Sequence, residues 1–170
     1  ASELVEHNVH TYHLTFDDGY AEHRNLVLPI LKEFNIVDAS FFILACTLLR
    51  EPFYPPLDMI YYKISHYGLI NTLRLLDIDH PNLTSALISL KTITNKMSLD
   101  EISSLSKKLN LSSDDMMNIS SQFLQPIDLK MMVNEGFNIG SHGLSHRNYC
   151  FFKSGSTQEL FKSKIIIENT

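Results

Sequence analysis

Two short stretches of this chain carry side chains that can ligate a metal ion and move protons: Asp17-Asp18-Gly19 and His142-Gly143-Leu144-Ser145-His146. Imidazoles four residues apart share one side of a helical turn, and one distant carboxylate completes a three-ligand set with positions left for water and substrate. Adjacent aspartates point to opposite faces of a regular strand, so both serve one site only where the pleat ends and a turn begins. Gly19 supplies that turn. A dication held by one carboxylate offsets like-charge repulsion and keeps the second ionised, available as a base. The alternatives are an Asp-Asp-Gly that only caps a turn and a histidine pair that only decorates the surface.

The elements that must position these groups read as strand, helix, strand. Residues 9–16 are β-branched and aromatic, which predicts a strand running into the turn. Residues 22–34 predict a helix with Leu26, Ile30, Leu31 and Phe34 near helical spacing and Pro29 restarting it at a first-turn position. Residues 39–44 are continuously apolar, as in a parallel strand buried on both faces. Residues 126–135 predict a helix with Leu129, Met132 and Val133 on one side, capped by Gly136, and residues 137–141 a third strand. Both chemical stretches then lie at strand C-terminal ends, where parallel α/β folds gather their sites.

Between them, residues 50–123 change character. Pro52, Pro55 and Pro56 break the chain, and leucine-rich stretches with serine caps follow, which predicts a mostly helical insertion. Ser98-Leu99-Asp100-Glu101 is a capping box followed by the stripe Ile102, Leu105, Leu109. Ser112 with Asp115 starts a further short helix carrying Met116, Met117 and Ile119, whose methionines read as core filler. Ser156-Thr157-Gln158-Glu159 is another capping box, opening a last helix through Ile167.

Composition fits one globular domain over residues 1–170: 44% hydrophobic and 19% charged. Lys and Arg total 14 against 19 Asp and Glu, a net charge of -5, which argues against nucleic acid as a partner. The longest nearly apolar run, residues 39–49, is shorter than the roughly 20 residues a membrane helix needs. Cys46 and Cys150 read as buried small apolar residues; low cysteine use and no visible leader predict a cytoplasmic chain. His10 and His13 face opposite sides of the first strand, while His7 and His13 share a face but lie roughly 20 Å apart if extended. His23, His66 and His80 read as surface or helix-end residues, and Tyr61, Tyr62 and Tyr67 as aromatic core. Cys150, four residues after His146, is a soft donor that zinc accepts, but it is assigned to the core.

Taken together, Leu14-Thr15-Phe16-Asp17-Asp18-Gly19-Tyr20, Ala39-Ser40-Phe41-Phe42-Ile43 and the run from Gly136-Phe137 through Ser141-His142-Gly143-Leu144-Ser145-His146 resemble, in order, the first motif, second strand and second motif of the polysaccharide deacetylase family. This family is also called NodB-homology or carbohydrate esterase family 4. The resemblance covers about residues 9–44 and 126–170. It implies an α/β fold, the N-terminal part of a deformed (β/α) barrel of NodB type, with residues 50–123 inserted. It further implies Asp17 as general base, with Asp18, His142 and His146 holding zinc or a similar divalent ion, and an N-acetylated carbohydrate as substrate. Gly143 stands where the family has Ser or Thr, and the family's late motifs, including the histidine that protonates the leaving nitrogen, have no counterpart here. The expectation is therefore a metal-dependent N-deacetylase whose barrel is completed by a further C-terminal segment or by self-association. The alternative is a catalytically incomplete fragment that binds metal without turnover. An iron(II) oxygenase-type facial triad ranks third, because there a His-x-Asp pair precedes the distant histidine.

Overall fold

The computed structural model describes residues 12–78, 82–150 and 155–170. Within them β1 (Leu14–Phe16), β2 (Ala39–Ile43) and β3 (Asn138–Ser141) form one parallel sheet in the order β1-β2-β3. Residues 9–11 of the expected first strand, and with them His7 and His10, lie outside the described residues, and Tyr12 and His13 precede β1 rather than belonging to it. The register sets Phe16 beside Phe41 and Phe42 beside Gly140. Burial of β2 is complete on one face only: Ala39, Phe41 and Ile43 are fully enclosed, whereas Ser40 and Phe42 are half-buried. The expectation of burial on both faces is corrected, because Phe42 lies against the bare backbone of Gly140 instead of under a helix. A Cβ at Gly140 would stand 2.7 Å from the Phe42 ring.

After β1 the chain enters a π-helical turn, His23–Val27, and continues as α1 (Leu28–Glu33) with Pro29 in its first turn. The expected stripe does not face the core: Leu26, Ile30 and Phe34 are exposed, and His23, Leu28 and Leu31 are buried. A π-turn bonds i to i+5, so it rotates the helix relative to a uniform α repeat and brings His23 and Leu28 onto one line.

Five helices follow β2: α2 (Pro56–Tyr67), α3 (Leu69–Leu75), α4 (Leu83–Thr94), α5 (Leu99–Lys108) and α6 (Ser113–Ser120). Ser98 and Ser112 each form the full reciprocal cap, with Glu101 and Asp115 reaching back to the cap backbone. These helices enclose their own core, in which Met59, Ile60, Leu90, Leu105, Leu109, Ile119 and Phe123 are buried. Only Tyr62 of the three tyrosines joins it; Tyr61 and Tyr67 are exposed, the Tyr67 hydroxyl donating to Asp115 and its ring carrying the Lys63 ammonium at 3.5 Å. Met117 is likewise exposed, while Met116 packs against the core.

The chain returns through α7 (Pro126–Asn134), which buries Leu129 and Met132 but leaves Val133 in solvent. Asp128 accepts from the Gln125 N–H and from Arg24, tying the start of α7 to the π-turn. Gly136, at φ +93, closes α7: its N–H bonds Val133 and the Phe137 N–H bonds Met132, so the chain turns directly into β3. Finally α8 (Ser156–Glu168) packs on β3. The capping box expected at Ser156 is absent; Gly155 precedes the helix without a side-chain cap, because Glu159 is engaged elsewhere.

Candidate metal centre

Directly after β1, Asp18 and Gly19 both adopt left-handed backbone angles, φ 72 and φ 76. This breaks the strand alternation, so neighbouring carboxylates need not point apart. Glycine is required second, since a Cβ there would meet Ile43 at 3.0 Å under a left-handed φ. The turn is held from outside: the Leu124 N–H donates to the Gly19 carbonyl at 2.8 Å, the Ala21 N–H to Gln122 at 2.8 Å, and the Tyr20 hydroxyl to Asp58 Oδ1 at 2.8 Å. Both ends of the helical segment are thereby fastened to the Asp17-Asp18-Gly19 turn.

The histidine stretch leaves β3 as a loop, and the expected helical turn is corrected. Gly143 at φ +90 and His146 at φ 56 are incompatible with a helix, and the backbone bonds sideways instead. The His142 N–H donates to Ile43, while Ala45 and Cys46 donate to Gly143 and Leu144 at 3.0 and 2.9 Å. The loop therefore lies along the exit of β2, beside the turn that ends β1.

These two loops bring Asp18, His142 and His146 together. Asp18 Oδ1 lies 3.2 Å from His142 Nε2 and 3.4 Å from His146 Nε2, and one donor atom from each residue falls within 4.8 Å of the others. Donors placed about 2.0–2.1 Å from one tetrahedral zinc stand about 3.3 Å apart, which matches both Asp18–histidine separations. A second observation agrees: Asp18 Oδ1 is buried without a hydrogen-bond partner, an oxygen that a cation satisfies. Asp17 stands on the other side of the His142 ring, with Oδ1 3.9 Å from Nδ1 and its side chain 57% exposed. It is open to solvent at the edge of the donor set.

Asp58 is the nearby group that sequence spacing did not mark. It sits in the first turn of α2, takes the Tyr20 hydroxyl, and interacts electrostatically with Asp18 and His146. Burial pushes its carboxyl above the ordinary range, opposed by the Tyr20 hydrogen bond and by His146. Nothing at Pro55-Pro56-Leu57-Asp58 advertises this, because the partner lies in another element. Glu159, expected as a cap, is a buried partner of the histidine loop.

The remaining candidates separate cleanly. His23 is buried, not at the surface, with its ring against Phe16, Phe41 and Tyr20; this burial lowers its pKa. His13 meets Asp38 at 3.3 Å and Ser40 at 2.9 Å on the surface, and His66 is exposed near the end of α2. His80 lies outside the described residues. Cys46 is enclosed, and burial pushes its thiol up to about 12, so it is chemically quiet. Cys150 is exposed, which corrects its assignment to the core: it lies on a turn held by Asn148, outside both hydrophobic clusters. It is not part of the donor group. Comparison of the chain with protein-family models, with curated proteins and with solved structures found no match.

Proposed function

We propose that this chain is a metal-dependent hydrolase that removes an N-acetyl group from an amino sugar, in a glycan or a glycan precursor. The observation that carries the reading is the meeting of Asp18 Oδ1, orphaned and buried, with two imidazole Nε2 atoms at 3.2 and 3.4 Å. Asp18, His142 and His146 hold the ion, and two imidazoles with one carboxylate put zinc first on donor type. When bound, a zinc or similar ion supplies Lewis acidity toward the acetyl carbonyl and lowers the pKa of water. The protein's own part is proton handling and orientation. Asp17 accepts the proton of the attacking water as its oxygen bonds to the acetyl carbon. The C–N bond then breaks, acetate departs, the amine takes a proton from solvent, and Asp17 returns the one it accepted to solvent. His142 lies between the two aspartates and keeps their roles apart, with Nε2 toward Asp18 and Nδ1 toward Asp17.

Replacing Asp17 by Asn tests this. The expected result is at least a hundredfold loss of acetate release, the scale of general-base catalysis, with zinc affinity retained. Full activity in that variant refutes the base assignment. A second reading, a metal-stapled domain without turnover, draws on the donor set joining the turn after β1 to the loop after β3. Stoichiometric zinc with no acetate released from N-acetylated amino sugars decides for it.

A further inference from the structure

The loop that carries the two histidines is gripped by a single buried carboxylate. Glu159, in the first turn of α8, accepts the Ser145 hydroxyl on Oε2 at 2.8 Å and pairs with Arg147 through Oε1 at 3.0 Å. Ser145 and Arg147 are the residues on either side of His146, and all three groups of the grip are shielded: Ser145 is 1% exposed, and the Arg147 and Glu159 side chains 10% and 8%. His146 between them holds a left-handed backbone angle, uncommon for residues other than glycine. A second contact from α8 works at the other end of the loop. Ser141 donates to Ser163 at 2.7 Å and accepts the Gly143 N–H at 3.0 Å.

We infer that Glu159 is a positioning residue for the candidate metal centre, holding His146 through Ser145 and Arg147 so that its Nε2 stays aimed at Asp18. The inference rests on the metal reading above and extends it to a residue that touches no ligand atom. Because the carboxylate grips both neighbours of His146, losing it frees the loop without removing a donor. Groups of this kind cost 10–100-fold in metal affinity when altered.

The test measures zinc affinity by calorimetry, together with the visible spectrum of the cobalt-substituted protein, in the full chain and three variants. Glu159→Gln is expected to weaken zinc binding about 10–100-fold and to change the cobalt spectrum. Ser145→Ala, which strands no charge, is expected to weaken zinc less and decides the matter if Glu159→Gln fails to fold. Ser98→Ala lowers stability at the start of α5, away from the loop, and is expected to bind zinc as the unaltered chain does. Wild-type affinity in both loop variants, or an equal loss in Ser98→Ala, overturns the inference alone. Failure of the unaltered chain to bind zinc overturns the metal reading and the inference with it.

Discussion

A buried carboxylate oxygen that makes no hydrogen bond is costly, and Asp18 combines that cost with a left-handed backbone angle. Such a residue persists where the surrounding structure over-determines it, here through Gly19, Tyr20 and their bonds to residues 122–124. Asp58 poses the complementary case. Its carboxyl is raised by burial, so the folded protein holds the proton to higher pH than the unfolded chain does. Stability therefore falls as pH rises from the ordinary carboxylate value through the raised one, and stays lower above it. Asp58→Asn keeps an acceptor for Tyr20 and removes this term. Urea midpoints across that acid window are expected to decline more steeply for the unaltered chain than for the variant; parallel curves contradict the burial argument. At this scale local rules read well and tertiary ones do not. Ser98 and Ser112 were legible as caps because donor and acceptor lie three residues apart. Glu159 fitted the same pattern, yet Arg147 and Ser145, nearer in space, took its carboxylate.

Among the elements, strand positions and the two glycine-dependent joints, Gly19 and Gly136, could be read from composition and turn chemistry alone. The facing of α1 could not. Leu26, Ile30 and Phe34 form a regular stripe, but the π-turn at His23–Val27 rotates it outward. The histidine stretch departs from its spacing for a related reason: a spacing of four fits a helix, whereas Gly143 and His146 hold positive φ and the loop bonds to residues 43–46. The sheet itself depends on one missing side chain. Gly140→Ala forces a methyl against the Phe42 ring across the β2–β3 pairing, and is expected to cost about 1–3 kcal/mol by urea unfolding. An unchanged midpoint would mean that Phe42 rotates away freely and that the packing of these strands does not need glycine.

For the whole molecule, the buried apolar residues form two separate hydrophobic cores. One covers the sheet around Phe41, and the other fills α2–α6 around Phe123. Tyr20, in the turn after β1, packs on the second, stacking on Phe123 at 5.2 Å while its hydroxyl holds Asp58. No periodicity showed that the helical segment would fasten to the Asp17-Asp18-Gly19 turn at both its ends, because that contact belongs to neither element alone. Among the described residues β1 and β3 each lack a second strand partner, and Leu26, Ile30, Phe34 and Phe161 face solvent. Open parallel edges beside apolar surface favour association. Sedimentation velocity on residues 1–170 is expected to show mass rising with concentration; a constant monomer mass over the same range contradicts it.

The most direct measurement is a crystal structure of the zinc-loaded chain, with anomalous data at the zinc edge. The expected result is one strong peak about 2.0–2.2 Å from Asp18 Oδ1, His142 Nε2 and His146 Nε2, with Asp17 outside the coordination sphere. A map in which Asp18 turns away from the two imidazoles, or in which zinc binds elsewhere, contradicts the metal centre and the hydrolase built upon it.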